Sequence, residues 1–414
     1  MKKTAAKTSF FLGTGDNFLD IHRAEAQGGK EKLVQWQFAD KRLEKIYDKV
    51  EQETRLSKED GLLLFETFDL NGVGMLANKV RERLHGKKAF YIYNQHINYT
   101  NICKNRCLFC AYAVDKGDAS SYSWDIKEIE KRLMDRIDEP INELHIVGGL
   151  NPDLPFSYFT DLLKAVKKIR PNAKIKAFTC VEIDYLSNLS GLSVDETIAA
   201  LKEAGLDMMP GGGAEVMSER VRKKLFPKKM GKDRWLEIME AVHRQGLPSN
   251  ATILYGHIET IEERVDHLIL LRELQDRTYM LNKTALSDAL FEGKGGFSAF
   301  IPLAFHSANT KLSHIPSTTA VDDLKMVAIS RLMLDNFPHI KAYWVMIGEK
   351  LAQVALNYGA DDLDGTIIEE RITHTAGAKS AKGLTRAFME DMIKSAGFTP
   401  IERDSFYGEI NVKH

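Results

Sequence analysis

The chain has 414 residues, 44% hydrophobic and 28% charged, an ordinary globular composition with room for two or three average domains or one large α/β barrel with appendages. A formal net charge of −1 disfavours a nucleic-acid partner or an anionic membrane surface. No apolar run approaches the roughly 18–20 residues that span a bilayer, Phe10-Phe11-Leu12 is too short for a signal-peptide core, and four cysteines in so long a chain make no disulfide framework, so the expected compartment is the cytoplasm.

Residues 1–30 carry little periodicity and four glycines, and are expected to form a weakly ordered lead-in. Residues 31–86 have helical spacing, with Leu43, Ile46, Tyr47 and Val50 on one stripe and a helix start at Ser57-Lys58-Glu59-Asp60. From residue 87 to 398 short β-like runs alternate with amphipathic helices, as in parallel βα units. The expected strands are 90–98, 143–147, 174–181, 207–209, 249–255, 296–303, 339–343 and 361–363. Helices are expected over 125–137, 155–168, 194–204, 232–245, 261–274, 321–336, 348–357 and 384–396. Eight of each predict an α/β fold of (β/α)8 TIM type, preceded by a helical extension. An open doubly wound sheet is disfavoured because no G-x-G-x-x-G follows a first strand. Residues 399–414 read as a short β addition packing on the barrel, and Arg277–Lys294 as an inserted excursion.

Three of the four cysteines, Cys103, Cys107 and Cys110, fall in the spacing C-x3-C-x2-C. Soft thiolates this close together point to a metal centre. A zinc site would call for paired C-x2-C halves or matching histidines, so a [4Fe-4S] cluster is the preferred reading. Three thiolates on four irons leave one iron open to a non-protein ligand, as a catalytic metal keeps an open position.

In a TIM-type barrel the chemistry collects at the strand C-terminal ends. Phe109 either faces a bound purine or shields the cluster from water. Gly148 and Gly149 end the second strand, where a backbone free of Cβ can approach an amino acid's polar end, or simply turn. Glu182, read at the end of the third strand, needs a hydroxyl or cation partner: a ribose diol, an ammonium ligand or a structural ion pair. Cys180 beside it reads as a small buried hydrophobe rather than a fourth ligand. Gly211, Gly212 and Gly213 read as bare amides leading into a helix, where a carboxylate can bind. His257 and His306 follow successive strands and are either satisfied structural groups or catalysts. Arg331 suits a carboxylate substrate, and with Lys341, Asp364 and the Glu369-Glu370 pair can equally stitch loops together.

These phrases resemble the radical S-adenosylmethionine superfamily. His96–Asn101 before the cluster, Pro210–Glu215 and Asp361–Glu370 are similar to its menaquinone and deazaflavin group. Tyr255–Thr260, Phe300–His306, Asp335–Trp344 and Asp362–Thr366 resemble the aminofutalosine synthase family of the futalosine pathway. The resemblance covers roughly residues 40–407; Cys180 and the Arg277–Lys294 insertion depart from it. It implies that the unique iron chelates S-adenosylmethionine, with Phe109, Gly148, Gly149 and Glu182 as contacts, and that one electron from a flavodoxin or ferredoxin releases a 5′-deoxyadenosyl radical. It further implies addition of that radical to 3-[(1-carboxyvinyl)oxy]benzoate, aryl migration and loss of the carboxylate carbon, giving 6-amino-6-deoxyfutalosine. Gly211–Gly213, Arg331 and the two histidines are the candidate substrate contacts. Cyclic dehypoxanthinyl futalosine synthases and deazaflavin-type synthases are the alternatives. A non-catalytic iron–sulfur carrier or zinc-stabilised binding protein is the reading from another class, disfavoured because a carrier needs no strand-end polar groups.

Overall fold

The structure is a computed structural model that describes residues 37–282 and 295–410. The expected lead-in at 1–30 and residues 283–294 of the expected excursion lie outside them.

Three helices come first: α1 (Leu43–Glu51), α2 (Lys58–Glu66) and α3 (Leu70–His85). The Ser57 hydroxyl accepts from the Asp60 amide while Asp60 accepts from the Ser57 amide, a capping box that fixes the start of α2. The barrel then runs β1 (Lys88–Ile92), β2 (Asn94–Ile97), α4 (Ile126–Met134), β3 (Glu143–Ile146), α5 (Phe156–Ile169), β4 (Lys174–Ala177), α6 (Cys180–Ser190) and α7 (Val194–Ala204). It continues with α8 (Glu219–Leu225), α9 (Lys232–Arg244), β5 (Pro248–Tyr255), α10 (Ile261–Asn282), β6 (Gly296–Ala304), α11 (Ala320–Met333) and β7 (His339–Ile340). Last come α12 (Trp344–Ile347), α13 (Glu349–Ala355), β8 (Asp362–Gly365), α14 (Ile372–Thr375), α15 (Arg386–Ser395) and β9 (Thr399–Glu402).

All strand pairings of the barrel are parallel, and they close a ring. β2, β3 and β4 form one arc and β5, β6 and β7 another. Bridges Lys176–Met208 and Met209–Ser249 join the arcs, and Lys341–Asp362 and Gln95–Ile368 complete the circuit through β8. The fourth expected strand, 207–209, is thus reduced to these two bridges. The first expected strand, 90–98, is broken at Tyr93. β3 begins level with Asn94, and below that level β9 pairs β1 from Lys88–Thr399 to Tyr91–Glu402. The C-terminal strand therefore fills the place that β3 is too short to reach.

The third expected strand, 174–181, stops at Ala177. Thr179 and Glu182 form a reciprocal capping box, so Cys180 opens a helix instead of continuing a strand. Cys180 is fully buried, the small hydrophobe expected of it.

Arg331 overturns an expectation. It is fully buried in α11, and its guanidinium donates to the carbonyls of Gly359 (2.9 Å), Phe337 (3.3 Å) and Pro338 (3.1 Å) and to the Asp361 carboxylate. Those partners precede β7 and β8, at the end of the barrel opposite the cysteine loop. Its donors are spent on backbone, so no substrate carboxylate meets it. Burial opposes the charge on Asp361, but His85, His339 and Arg331 outweigh it and hold the carboxyl well below its usual range. Replacing Arg331 with Met leaves that carboxylate only the two histidines and the Ile340 amide and takes a donor from three carbonyls, and breaking a buried pair costs about 3–5 kcal/mol. The R331M protein should lose stability of that order in urea denaturation of the apo-protein, whereas an exposed control such as Arg244→Met should shift by less than about 1 kcal/mol.

Candidate active site

A cavity of about 340 Å³ opens at the C-terminal ends of the strands. Cys103, Cys107 and Cys110 all border it, on the loop after β2. Backbone bonds pin this loop on three sides: Cys103 N to the Val114 carbonyl (3.2 Å), Lys104 N to Leu150 (3.1 Å) and Leu108 N to Leu225 at the end of α8 (2.9 Å). The three sulfurs are free. Burial pushes the Cys107 thiol up to about 12 and raises Cys110, so cationic iron is needed to hold them as thiolates. Among the described residues only His85, His339 and Asp361 form a trio with ligand atoms within 4.8 Å of one another. The sulfurs spread wider than such a single-ion site, as a multi-iron cluster requires.

Gly148 and Gly149 also border the cavity, but packing already explains them. A Cβ on Gly149 would lie 2.2 Å from the Ile102 carbonyl oxygen, and one on Gly148 would lie 2.7 Å from the Tyr99 ring. The pair lets the end of β3 seat directly against the cysteine loop. Glu182 lies in the first turn of α6, buried, with every partner supplied by the protein. Oε1 accepts from the Tyr99 hydroxyl (2.8 Å) and the Gly148 amide (3.1 Å), and Oε2 from the Thr179 amide (2.7 Å) and hydroxyl (3.0 Å). Burial raises its pKa despite these donors.

Phe109 borders the cavity with its ring edge-on to Phe226 at 5.8 Å. The Lys229 ammonium lies 5.1 Å from the Phe109 ring centre and pairs with Glu215. Burial works against that ammonium, but Glu215 and Cys107 raise its pKa above the usual lysine range. Nothing in the residue pattern around Pro227-Lys228-Lys229 distinguishes Lys229, because only the folded loop brings it beside the cysteines.

Gly211, Gly212 and Gly213 border the cavity, but they do not lead into a helix: α8 starts only at Glu219. A Cβ on Gly211 would lie 2.4 Å from Ala251 in β5, so close packing accounts for this glycine too. His306 borders the cavity, its Nε2 2.9 Å from the Met346 carbonyl. His257 does not border it. Its side chain is fully buried against Glu259, Nδ1 to Oε2 2.8 Å. Burial opposes the Glu259 charge, but His257 and Arg264 outweigh it and bring that carboxyl down to about 2. His257 thus belongs to a structural ion cluster, and Arg331 lies at the far end of the barrel.

Deeper in the cavity lie groups the sequence did not single out: His96, His145, Lys176, Asn250 and Tyr343. The walls above them are apolar, with Leu254, Ile301, Leu303 and Phe305. A TIM-type barrel with three clustered thiols at its mouth and an enclosed cavity beneath fits the architecture of a radical enzyme.

Comparison with known proteins bears this out. The Radical SAM superfamily matches residues 97–271, and the CofH/MqnC C-terminal region matches residues 294–414. The aminodeoxyfutalosine synthase of Thermus thermophilus is 45% identical over 90% of this chain and 97% of its own. A 5-amino-6-(D-ribitylamino)uracil–L-tyrosine 4-hydroxyphenyl transferase of Methanosarcina barkeri is 37% identical over 86% of this chain and 89% of its own. The crystal structure of methylornithine synthase shares the fold at a TM-score of 0.64, with 18% identity over 86% of this chain and 97% of that one. The chain belongs to the radical S-adenosylmethionine superfamily and, within it, to the family of the aminodeoxyfutalosine synthases. Its cofactors are those of the superfamily, a [4Fe-4S] cluster and S-adenosylmethionine, and the three-cysteine cluster Cys103, Cys107 and Cys110 is present at the cavity. No helix among the described residues is long and apolar enough to cross a membrane.

The seating of β3 on the cysteine loop can be tested directly. Gly149→Ala forces its Cβ into the Ile102 carbonyl, so iron and sulfide per chain after reconstitution should fall at least about twofold, with about 1–3 kcal/mol lost to overpacking. Gly212→Ala, whose Cβ meets only the Thr179 methyl at 3.3 Å, should load as the parent does.

Proposed function

We propose that the protein catalyses the aminodeoxyfutalosine synthase reaction: joining of the 5′-deoxyadenosyl group of S-adenosylmethionine to 3-[(1-carboxyvinyl)oxy]benzoate, giving 6-amino-6-deoxyfutalosine for menaquinone synthesis. The observation that carries this reading is the likeness to the Thermus thermophilus enzyme along nearly the whole of both chains. The cluster, with S-adenosylmethionine on its open iron, would supply the adenosyl radical after reduction by a flavodoxin- or ferredoxin-type donor. Bond formation at the vinyl carbon, aryl migration from oxygen to carbon and loss of the enolpyruvyl carboxyl as carbon dioxide, with the electron spent in cleaving S-adenosylmethionine to methionine given back to the iron–sulfur or donor couple, would then yield the product.

The chain's own residues orient the partners and exclude water. Phe109 covers the cysteine loop and offers a ring face at the cavity mouth. Gly148 and Gly149 border the cavity beside the cysteine loop, where the methionine end of S-adenosylmethionine would lie, with both amides already held by Glu182 and the Thr100 carbonyl. Glu182 acts on that co-substrate by fixing Gly148 and Tyr99 rather than by a free oxygen. Gly211–Gly213 line the side of the cavity toward β5, where backbone amides suit a substrate carboxylate. His306, just after β6, has its Nε2–H held by the Met346 carbonyl and turns Nδ1, an acceptor, toward the substrate. His257 and Arg331 take no part. The apolar walls Leu254, Leu303 and Phe305 suit an aromatic ring.

A second reading keeps the scaffold and changes the outcome. The Methanosarcina barkeri relative, at 37% identity, supports a hydrogen-abstracting or deazaflavin-type synthase. Anaerobically reconstituted and reduced protein, given S-adenosylmethionine and the enolpyruvyl benzoate, should form an adduct carrying both the adenosyl and the aryl group, read by mass. Free 5′-deoxyadenosine as the main product would overturn the first reading in favour of the second. Cys107→Ser should abolish both cluster loading and cleavage of S-adenosylmethionine.

A further inference from the structure

The lower part of the cavity is a polar floor, and strand register builds it. His96 in β2 is paired with His145 in β3, and His145 with Lys176 in β4, so the three stand side by side on the inner face of neighbouring strands. Ile97, Ile146 and Ala177, one step along each strand, point to the outer face and are fully buried. The two imidazoles stack with centroids 4.5 Å apart and planes 10° from parallel. Among the described residues none hydrogen-bonds either ring, though His96 is only 6% exposed. Asn250, 2% exposed, has a side-chain Oδ1 with no partner, and the Tyr343 hydroxyl has none among the described residues. Four buried or half-buried polar groups, His96, His145, Asn250 and Tyr343, thus border one cavity without protein partners, which is costly unless a ligand or water satisfies them.

The charges around this floor indicate what that ligand is. Lys176 is held from below by Glu143 at 2.6 Å, Lys341 pairs with Asp364 at 3.2 Å, and Arg403 pairs with Asp362 at 2.7 Å. Glu370 accepts from the Thr373 amide and from His374. Each neighbouring carboxylate therefore has its own cation or donors, and the groups left facing the cavity are rich in N–H and O–H. Burial lowers the pKa of both rings, with His96, Lys176 and Lys341 adding to the effect at His145, and an uncharged ring offers one N–H and one acceptor nitrogen. A ligand that meets a lysine, two imidazoles and a phenol meets mainly donors, which suits an acceptor with several lone pairs such as a carboxylate, while the orphaned Asn250 Oδ1 is itself an acceptor and calls for a water or a ligand O–H.

We propose that His96, His145 and Lys176, with Asn250 and Tyr343, form a carboxylate-binding floor that receives the ring carboxylate of an aryl substrate. The aromatic ring stands upright between Leu254, Ile301 and Leu303, and its meta substituent slants toward the cysteine end of the cavity. The floor fixes the distance between the anchored carboxylate and the reacting carbon, and it selects meta-substituted benzoates against uncharged aryl groups. This rests on the aryl carboxylate substrate proposed above.

The test is equilibrium binding to the reconstituted protein with S-adenosylmethionine and no reductant, so that no turnover occurs. The probe is 3-methoxybenzoate, with 3-methoxybenzamide as its uncharged counterpart. The parent protein should bind the anion at least about tenfold more tightly than the amide. His145→Phe and Tyr343→Phe should each remove about tenfold of that preference while leaving S-adenosylmethionine affinity and iron content unchanged. Lys176→Met leaves Glu143 unpaired, so it is made together with Glu143→Gln, and the pair should behave as His145→Phe does. Equal affinity for anion and amide in the parent, or an unchanged preference in all three variants, overturns the floor. If the parent forms no adenosyl–aryl adduct yet shows the anion preference, the reaction falls and the floor stands. If it forms the adduct with unchanged KM in all three variants, the floor falls and the reaction stands.

Discussion

One buried carboxylate holds the mouth of the barrel together. Glu182 binds the Tyr99 hydroxyl from the segment leading into the cysteine loop, the Gly148 amide at the end of β3, and Thr179 at the end of β4. Three neighbouring strand ends thus converge on two oxygen atoms. Burial raises the Glu182 pKa, and those donors work against the rise without cancelling it. The arrangement is therefore cooperative. Moving any one strand end leaves a buried carboxyl short of donors, and the cysteine loop, seated on Gly148 and Gly149, moves with it.

The opposite end of the barrel is tied by charge as well, but there the C-terminal tail supplies it. Arg403 is buried on Asp362, the Tyr407 hydroxyl donates to the same carboxylate at 2.6 Å, and Ser405 donates to Glu143 at 2.9 Å. The tail thereby caps the interior where β9 has already replaced the lower half of a strand pairing. Alternating Lys176–Glu143, Lys341–Asp364 and Arg403–Asp362 pairs fill the lower barrel with equal numbers of opposite charges. Such pairs add little net stability over an apolar core of the same volume. Their consequence here is a rigid polar base beneath an apolar chamber.

What could be read from sequence followed from how locally each feature is determined. The helix 194–204 is observed as Val194–Ala204 because Ser193 and Glu196 cap it and Gly205 ends it, all within one window. Thr179-Cys180-Val181-Glu182 carries an equally local capping box, but the β-branched and apolar run before it hid the switch from strand to helix. The break at Tyr93 depends on β9, some three hundred residues away, and no local pattern encodes it. The same holds for the site. The cysteines announce themselves by spacing. Lys229 acquires meaning only when its loop folds beside Cys107, and His257 and His306, alike in the sequence, are separated by an orientation that only the folded loops define. His96, His145 and Lys176 were legible in principle, as polar residues at matched positions in three adjacent apolar strands, once the register was known.

The vertical order of the cavity has a chemical logic. A carbon radical abstracts hydrogen from whatever C–H bond it meets, so a path that ends in bond formation must leave it one partner at contact distance and hold that partner still. Apolar walls cannot orient a ligand by themselves, because the hydrophobic effect has no direction. An anchored anion at the base can, since charge-assisted hydrogen bonds fix both position and rotation. Placing the polar groups beneath the walls and the cysteines above them puts the restraint at one end of the ligand and the reactive carbon at the other. Placing them beside the cysteines would bring exchangeable protons and water to the radical. The depth of the floor is therefore what separates a chamber suited to addition from one suited only to generating the radical.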